Sequence, residues 1–255
     1  MAFSAVLITL NAARYLEPCL PALAMVTDDI VVVDHHSTDA TRDIAARLGC
    51  RIFEKDWEGY GPGKNFGNRQ ARYDWILSID ADEVLSEALV RSLKELDTGS
   101  LPENTVFSVN RLSRYCGRWI RHGGWYPDWH VRLFHRAFAS WGDEEVHEEL
   151  RFAGTPVVRK LKGHLLHYTV DSVEELWEKA GKYAALSAGK YWRQGKKAGW
   201  VKRRLNPVFR FVMDYVVWGG FLDGKAGWQI ARVRAHETRL KYELLRKLIK
   251  NRGTY

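Results

Sequence analysis

Residues 75–83 read Trp75-Ile76-Leu77-Ser78-Ile79-Asp80-Ala81-Asp82-Glu83. Trp75 to Ile79 has the length and apolar content of a buried strand, and it gives way to two aspartates one residue apart. Carboxylates released together at the carboxyl end of a strand can share a hard divalent cation, Mg2+ or Mn2+. Such ions take oxygen ligands and complete their shell with phosphate and water. A simpler reading has Asp82 or Glu83 favouring the dipole of a following helix. On these residues alone the two readings stand level.

Upstream, Ser4–Thr9 (SAVLIT), Asp29–Asp34 (DIVVVD) and Arg51–Lys55 read as three more strands, the second a near-continuous apolar run. Helical patterns lie between: about 13–25, disturbed by Pro18 and Pro21; up to about Leu48, with Ser37-Thr38-Asp39 as capping chemistry; about 64–72; and about 86–96. This alternation predicts a parallel α/β sheet with right-handed crossovers. Ligands of such sheets bind at the carboxyl ends of the strands, and Asn11, Asp34 and Asp80 all fall there. Downstream, Val106–Val109 and Val131–Phe134 read as strands around a Trp/Arg/Gly-rich loop, 118–129. Helices are expected over about 172–192 and 228–250, while Val208–Phe221 is apolar but interrupted by Arg210 and Asp214. No uninterrupted apolar run of about twenty residues occurs, so no spanning helix is expected.

Two further stretches carry chemistry. In Val33-Asp34-His35-His36-Ser37-Thr38-Asp39, a carboxylate just past the second strand can accept from a ribose hydroxyl or a uracil N–H. Adjacent histidines on an extended turn point apart, which argues against a metal pair at His35 and His36. In Gly59-Tyr60-Gly61-Pro62-Gly63-Lys64-Asn65-Phe66-Gly67, the glycines permit close backbone approach and Lys64 brings positive charge towards a phosphate. It is no P-loop, since both the spacing and the Lys-Ser/Thr ending are absent.

Taken in order, LITLNAARYL, VVVDHHSTDAT, GYGPGKNFG and SIDADE resemble the family 2 glycosyltransferases of the GT-A fold. CGRWIRHGGWYPDWHVRLFHR resembles their lipopolysaccharide-core β-1,4-glucosyltransferase branch, and the likeness covers about residues 3–150. It implies a Rossmann-like GT-A sheet and inverting transfer of a hexose, glucose, from a UDP-sugar to a lipid-linked saccharide such as the lipopolysaccharide inner core. Thr9 and Asn11 would line the nucleotide pocket, Asp34 would contact the uridine, and Lys64 would lie near the base or phosphate. Asp80 and Asp82 match the metal-binding aspartates, Asp82 being the better ligand. His35 stands where many relatives carry an acidic or small residue, which bears on the uridine contacts.

Inversion needs a base for the acceptor hydroxyl. The family's base is a carboxylate in a Glu-Asp pair before an Arg-Leu pair, and Pro127-Asp128-Trp129-His130-Val131-Arg132-Leu133 matches with Pro for Glu. Asp128 is therefore the candidate, against a plain loop aspartate paired with Arg121 or Arg132. The rival is the cluster 143–149, where Glu148 could be an acceptor ligand or the base and His147 could reach the metal or diphosphate. Trp125, Trp129 and Arg132 are the candidate acceptor contacts, since aromatic faces stack on sugar rings.

Charge divides the chain. Residues 190–255 hold 17 Lys/Arg against 4 Asp/Glu, and residues 1–189 hold 22 against 27. Tyr191–Leu222 interleaves those cations with aromatics, the composition of a segment lying on an anionic membrane; a helical cap with a solvated basic face is the alternative. Nucleic acid is disfavoured by the acidic body and by the absence of a recognised motif. The expected division is a GT-A domain over 1–170, with a nucleotide-sugar half to about 100 and an acceptor half beyond it. A basic helical extension would occupy 171–255. Cys19, Cys50 and Cys116 are odd in number and scattered, as buried thiols in a reducing compartment would be. With no basic leader ahead of an apolar stretch, a peripheral protein on the inner face of the cytoplasmic membrane is expected. A non-catalytic nucleotide-sugar- or polyanion-binding protein, or a transferase for another polysaccharide or a protein, are the competing functions.

Overall fold

The computed structural model describes residues 2–142 and 149–252. The chain divides into two compact units, Met1–Arg111 with Asp128–His167, and Leu112–Pro127 with Tyr168–Tyr255.

In the first unit the elements run β1 (Phe3–Thr9), α1 (Ala13–Ala24), β2 (Ile30–Asp34), α2 (Thr41–Arg47), β3 (Arg51–Glu54), α3 (Tyr60–Gln70), β4 (Trp75–Ser78), β5 (Glu83–Leu85) and α4 (Glu87–Lys94). They continue through most of β6 (Thr105–Tyr115), then β8 (Asp128–His135), β9 (Ala139–Trp141), β10 (Leu150–Phe152) and most of β11 (Val157–Val170), while β7 (Arg118–Trp119) falls in the second unit. The main sheet has the order β3-β2-β1-β4-β8-β6-β11-β5. Strands β3, β2, β1 and β4 are mutually parallel, as expected, whereas β8 joins β4 antiparallel.

Every residue of β1 and β2 is buried, because helices cover both faces of the parallel half. Alternation then sorts the side chains. Phe3, Ala5 and Leu7 pack with Leu16, Leu20 and Leu23 of α1 and Leu89 and Leu93 of α4. Val6 and Ile8 join Val31, Val33 and Ile76 on the other face. Helix α3 starts at Tyr60, earlier than the sequence suggests, because Gly61, Pro62 and Gly63 form its first turn. Proline is tolerated there, where its missing N–H would have no helical partner. Gly67 lets α3 touch the sheet: a Cβ there would lie 2.5 Å from Val6 Cγ1 and 3.0 Å from Val33 Cγ2.

The second unit holds α5 (Val173–Arg193), α6 (Trp200–Val212) and α7 (Gly224–Arg252), together with the end of β6 and β7. Tyr115 and Ile120 pack with Val170, Leu176, Ala180, Ala226, Ile230 and Val233. Asp223 Oδ2 accepts the backbone N–H groups of Arg121 (3.1 Å) and His122 (2.8 Å), fixing the 112–127 segment to the helices.

Candidate active site

Strand register builds the site. Strand β8 pairs with β4 through Leu77 and Leu133, so the position before Leu133 lies at the carboxyl end of β4, where Asp80 follows. Against β6 the register runs Phe107 to Leu133 and then Ser108 to Val131, leaving Arg132 as the extra residue of a bulge. A bulge re-aims the side chain that it carries. The guanidinium of Arg132 is buried, with Nη2 2.9 Å from Asp80 Oδ2 and 2.5 Å from Glu83 Oε1. Lys64, also buried, places Nζ 2.9 Å from Asp80 Oδ1 and 4.5 Å from the centre of the Trp141 ring.

These contacts fix the charges. Burial opposes ionisation of Asp80, but Lys64 and Arg132 outweigh it and hold its carboxyl well below the usual range. Glu83 is shifted the other way, first by its complete burial and then by the charge of Asp80, although Arg132 counters both. Arg132 itself is held more firmly protonated by Glu83 and Asp80, against the effect of its burial. Glu83 thus has a different task from the one suggested by its place before a helix. It is the buried counter-ion of Arg132, and the acidic residue in the first turn of α4 is Glu87.

A second register sets Asp82. Strand β11 pairs antiparallel with β5, His167 opposite Glu83, which brings His167 Nε2 to 3.1 Å from Asp82 Oδ2. Both oxygens of Asp80 are engaged by cations, which leaves Asp82 with His167, among the described residues, as a pair that could hold a divalent ion. Among the described residues no set of three or more His, Cys, Asp or Glu could hold a metal. An oxygen and an imidazole nitrogen still suit an ion that draws its other ligands from phosphate and water.

The third register sets Asp128, directly opposite Arg111 on β6. Arg111 Nη2 lies 2.8 Å from Asp128 Oδ2 and His130 Nε2 lies 2.9 Å from Oδ1. The backbone N–H of Asp128 donates to Asn110 Oδ1 at 2.9 Å. Partial burial raises the pKa of Asp128, yet His130 and Arg111 prevail and bring it down to about 2. The arginine partner is Arg111; Arg132 is turned to Asp80 and Glu83, and Arg121 lies in the second unit.

Thr9, Asn11 and Asp34 meet at the carboxyl ends of β1 and β2. The Asp34 carboxylate is fully buried and accepts from Thr9 Oγ1 (3.0 Å), Ser37 Oγ (2.5 Å) and the Ser37 N–H (2.8 Å). Asn11, exposed and with φ of 50°, accepts the Thr38 N–H at 2.8 Å. Asp34 therefore holds the turn, while Asn11 stands at the surface. Asp39 accepts from the Thr41 N–H (3.0 Å) and the Ala13 N–H (3.2 Å), so it serves the starts of both α2 and α1. His35 Nδ1 donates to the Lys55 carbonyl at 2.8 Å, whereas His36 pairs with Asp56, also at 2.8 Å. The two imidazoles diverge, with His36 in the left-handed region at a φ of 60°.

Trp129 is 39 % exposed, with Lys160 Nζ 4.4 Å from its ring centre. Trp125 belongs to the second unit, its ring 6.2 Å from that of Tyr115. His147 and Glu148 lie outside the described residues. Arg111 and His167 are members of the candidate site that no sequence motif contains. Glu83 and His130 lie inside the motifs DADE and PDWHVRL, but neither is assigned its role there.

Comparison with known proteins gives this geometry a family. Residues 4–140 match glycosyl transferase family 2. An uncharacterised glycosyltransferase of Rickettsia prowazekii is 28% identical, over 96% of this chain and 87% of its own length. The lipopolysaccharide core biosynthesis glycosyltransferase LpsC of Rhizobium meliloti is 30% identical, over 88% of this chain and 87% of its own. S. aureus TarS 1-349 in complex with UDP-GlcNAc aligns with a TM-score of 0.52 at 13% identity, over 98% of this chain and 92% of its own. The mannosyltransferase PcManGT from Pyrobaculum calidifontis, in complex with GDP-Man and Mn2+, aligns at 0.50 and 14%, over 100% of this chain and 76% of its own. These structural likenesses establish a GT-A-like fold, a mostly parallel sheet with flanking helices. On the family match and the LpsC relationship, the chain belongs to glycosyl transferase family 2 and is a glycosyltransferase.

Proposed function

We propose that the enzyme transfers a hexose, glucose, from a UDP-sugar to a lipid-linked saccharide of the lipopolysaccharide-core type, in one inverting displacement. The observation that carries this reading is the charge arrangement at the end of β4. Asp80 is neutralised by Lys64 and Arg132, Asp82 stands beside it with His167, and Asp128 is held ionised in the same unit. The TarS complex with UDP-GlcNAc supports a uridine nucleotide as donor, and the name of LpsC supports the acceptor class.

Asn11, beside the turn built by Thr9 and Asp34, lines the nucleotide pocket, and Lys64 supplies positive charge on its diphosphate side. Asp82 and His167 would hold Mg2+ or Mn2+, which when bound neutralises charge on the departing diphosphate. The acceptor oxygen forms its bond to the anomeric carbon as the bond from that carbon to the diphosphate oxygen breaks, and UDP leaves. The acceptor proton passes to Asp128 Oδ. A carboxylate with a pKa of about 2 is a weak base towards a free hydroxyl. It takes the proton late, once the new C–O bond has made that hydroxyl acidic. Arg111 and His130 position this carboxylate, and Trp129 offers a face to the acceptor sugar.

Calorimetric titration of UDP with and without Mn2+, on the wild type and on Asp82→Ala, tests the centre of the proposal. Metal-dependent binding that the variant loses is the expected result. Wild-type protein that binds no UDP under either condition would overturn it.

A further inference from the structure

Helix α6 is amphipathic with its faces reversed. Val201, Leu205, Val208 and Val212 recur at i, i+4, i+7 and i+11, a single stripe at the helical period. Packed on a protein, such a stripe ordinarily turns inward. Here it turns outward: all four are exposed, Phe209 beside them is 66 % exposed, and no residue of α6 is buried. The half-buried side carries Arg203, Asn206 and Arg210, with Pro207 and Phe211 beside them. Asn206 Nδ2 donates to the Tyr242 hydroxyl of α7 at 2.9 Å, and Arg210 Nη1 lies 3.5 Å from Asp214. Exposed apolar groups continue beyond the helix as Val216, Val217, Trp218, Phe221 and Leu222. Single exposed apolar residues are ordinary; a continuous series such as this marks a surface that meets something.

Charge identifies the partner. Residues 191–223 carry seven Lys/Arg, at 193, 196, 197, 202, 203, 204 and 210, against Asp214 and Asp223, and both of these carboxylates are buried. Lys202 and Arg204 fall on either side of the apolar stripe. Their stems can lie along it while the charges reach outward. Trp200 and Trp218, both exposed, suit the boundary between water and hydrocarbon. No helix among the described residues is long and apolar enough to cross a membrane. We infer that α6 and the segment up to Leu222 seat in the headgroup–acyl boundary of an anionic phospholipid bilayer, with the stripe inserted and the cations at the phosphates. A second copy of the chain fits less well, because two such faces would set cation against cation. Nucleic acid would satisfy the charge and leave the stripe in water.

The inference concerns the second unit and is read without substrate, so it stands or falls apart from the transferase reading. The full chain is sedimented with vesicles of phosphatidylcholine alone and of phosphatidylcholine mixed with phosphatidylglycerol. Partitioning onto the anionic vesicles should be at least about tenfold stronger, and should fall with salt. Leu205→Glu with Phe209→Glu should lower it about tenfold or more, the circular dichroism melt being unchanged because both side chains are exposed. Leu205→Ser with Phe209→Ser provides a milder pair should the first fold poorly. Equal partitioning onto both vesicle types, or variants that bind like the wild type, would overturn the inference. So would a dimer in light scattering that the same variants split, or oligonucleotide binding as tight as vesicle binding that survives them.

Discussion

Arg132 is the residue on which most of the site rests, because it is the shared counter-ion of two carboxylates, one of them fully buried. Arg132→Met leaves Asp80 with Lys64 alone and Glu83 with Arg111 at 3.8 Å. Removing one partner of a buried ion network costs about 3–5 kcal/mol. A urea titration should register that loss, and an unchanged midpoint would mean that the network is dispensable. Asp128 makes a different prediction. Its carboxyl is depressed to about 2 by His130 and Arg111, so the stability it lends is present above the unfolded value of about 3.9 and is lost as pH falls through about 2. Transfer activity should accordingly show no acidic limb from Asp128 near neutrality. Arg111→Leu should move that limb upward in a pH–rate profile. Asp128→Asn should lower the rate by about 10²–10⁴ while UDP binding persists, and a rate within a few-fold of wild type would move the base elsewhere. Asp80, Asp82 and Asp128 were legible because each sits in a local motif. Three of their partners were not: Arg111 is 17 positions from Asp128, Arg132 52 from Asp80, and His167 85 from Asp82. Only the pairing of strands brings them together.

Elements were legible where burial is two-sided. Strands β1, β2 and β4 are buried at every position and therefore read as near-continuous apolar runs. Strand β11 is the opposite case. Over VVRKLKGHLLHYTV only Leu161, Leu165 and Val170 are buried, so neither a run nor a clean alternation appears in its sequence. Yet β11 carries His167, and its absence from the sequence reading removed half of the candidate cation pair. Helix α3 shows a signal that could be read in kind but not in extent. Its glycines do permit close approach, and Gly67 is the tightest against the sheet, but the helix begins ahead of Lys64. Gly67→Ala tests this contact. Alanine favours a helix by about 1 kcal/mol over glycine. A Cβ 2.5 Å from the buried, stiff Val6 side chain must push α3 away, at about 1–3 kcal/mol. Because Lys64 rides on the same helix, UDP affinity should fall along with stability. A gain in stability on denaturant unfolding would show that the helix can tilt without cost.

At the scale of the whole molecule, the motifs that carry the family resemblance end by about residue 150, and a chain ended at residue 170 would be a natural guess at a self-sufficient catalytic domain. The packing argues otherwise. The segment 112–127 stands between two stretches of the first unit but belongs to the second. Its Tyr115 and Ile120 are covered by Leu176, Ala180, Ala226, Ile230 and Val233, all of them beyond residue 170. Its backbone N–H groups at 121 and 122 are satisfied by Asp223. Ending the chain at 170 would return both large side chains to water, at about 1.5–3 kcal/mol each, and would orphan two donors. Such a chain should bind a hydrophobic dye and aggregate at concentrations where the full chain stays monomeric. Leu205→Glu with Phe209→Glu should do neither, since that apolar surface is exposed and contributes nothing to the fold. The contrast separates two kinds of apolar residue in one C-terminal region: those of α5 and α7 that complete a core, and those of α6 that face outward. A soluble, sharply melting chain of 170 residues would show that the 112–127 segment can close on itself, and the helices would then be an appendage.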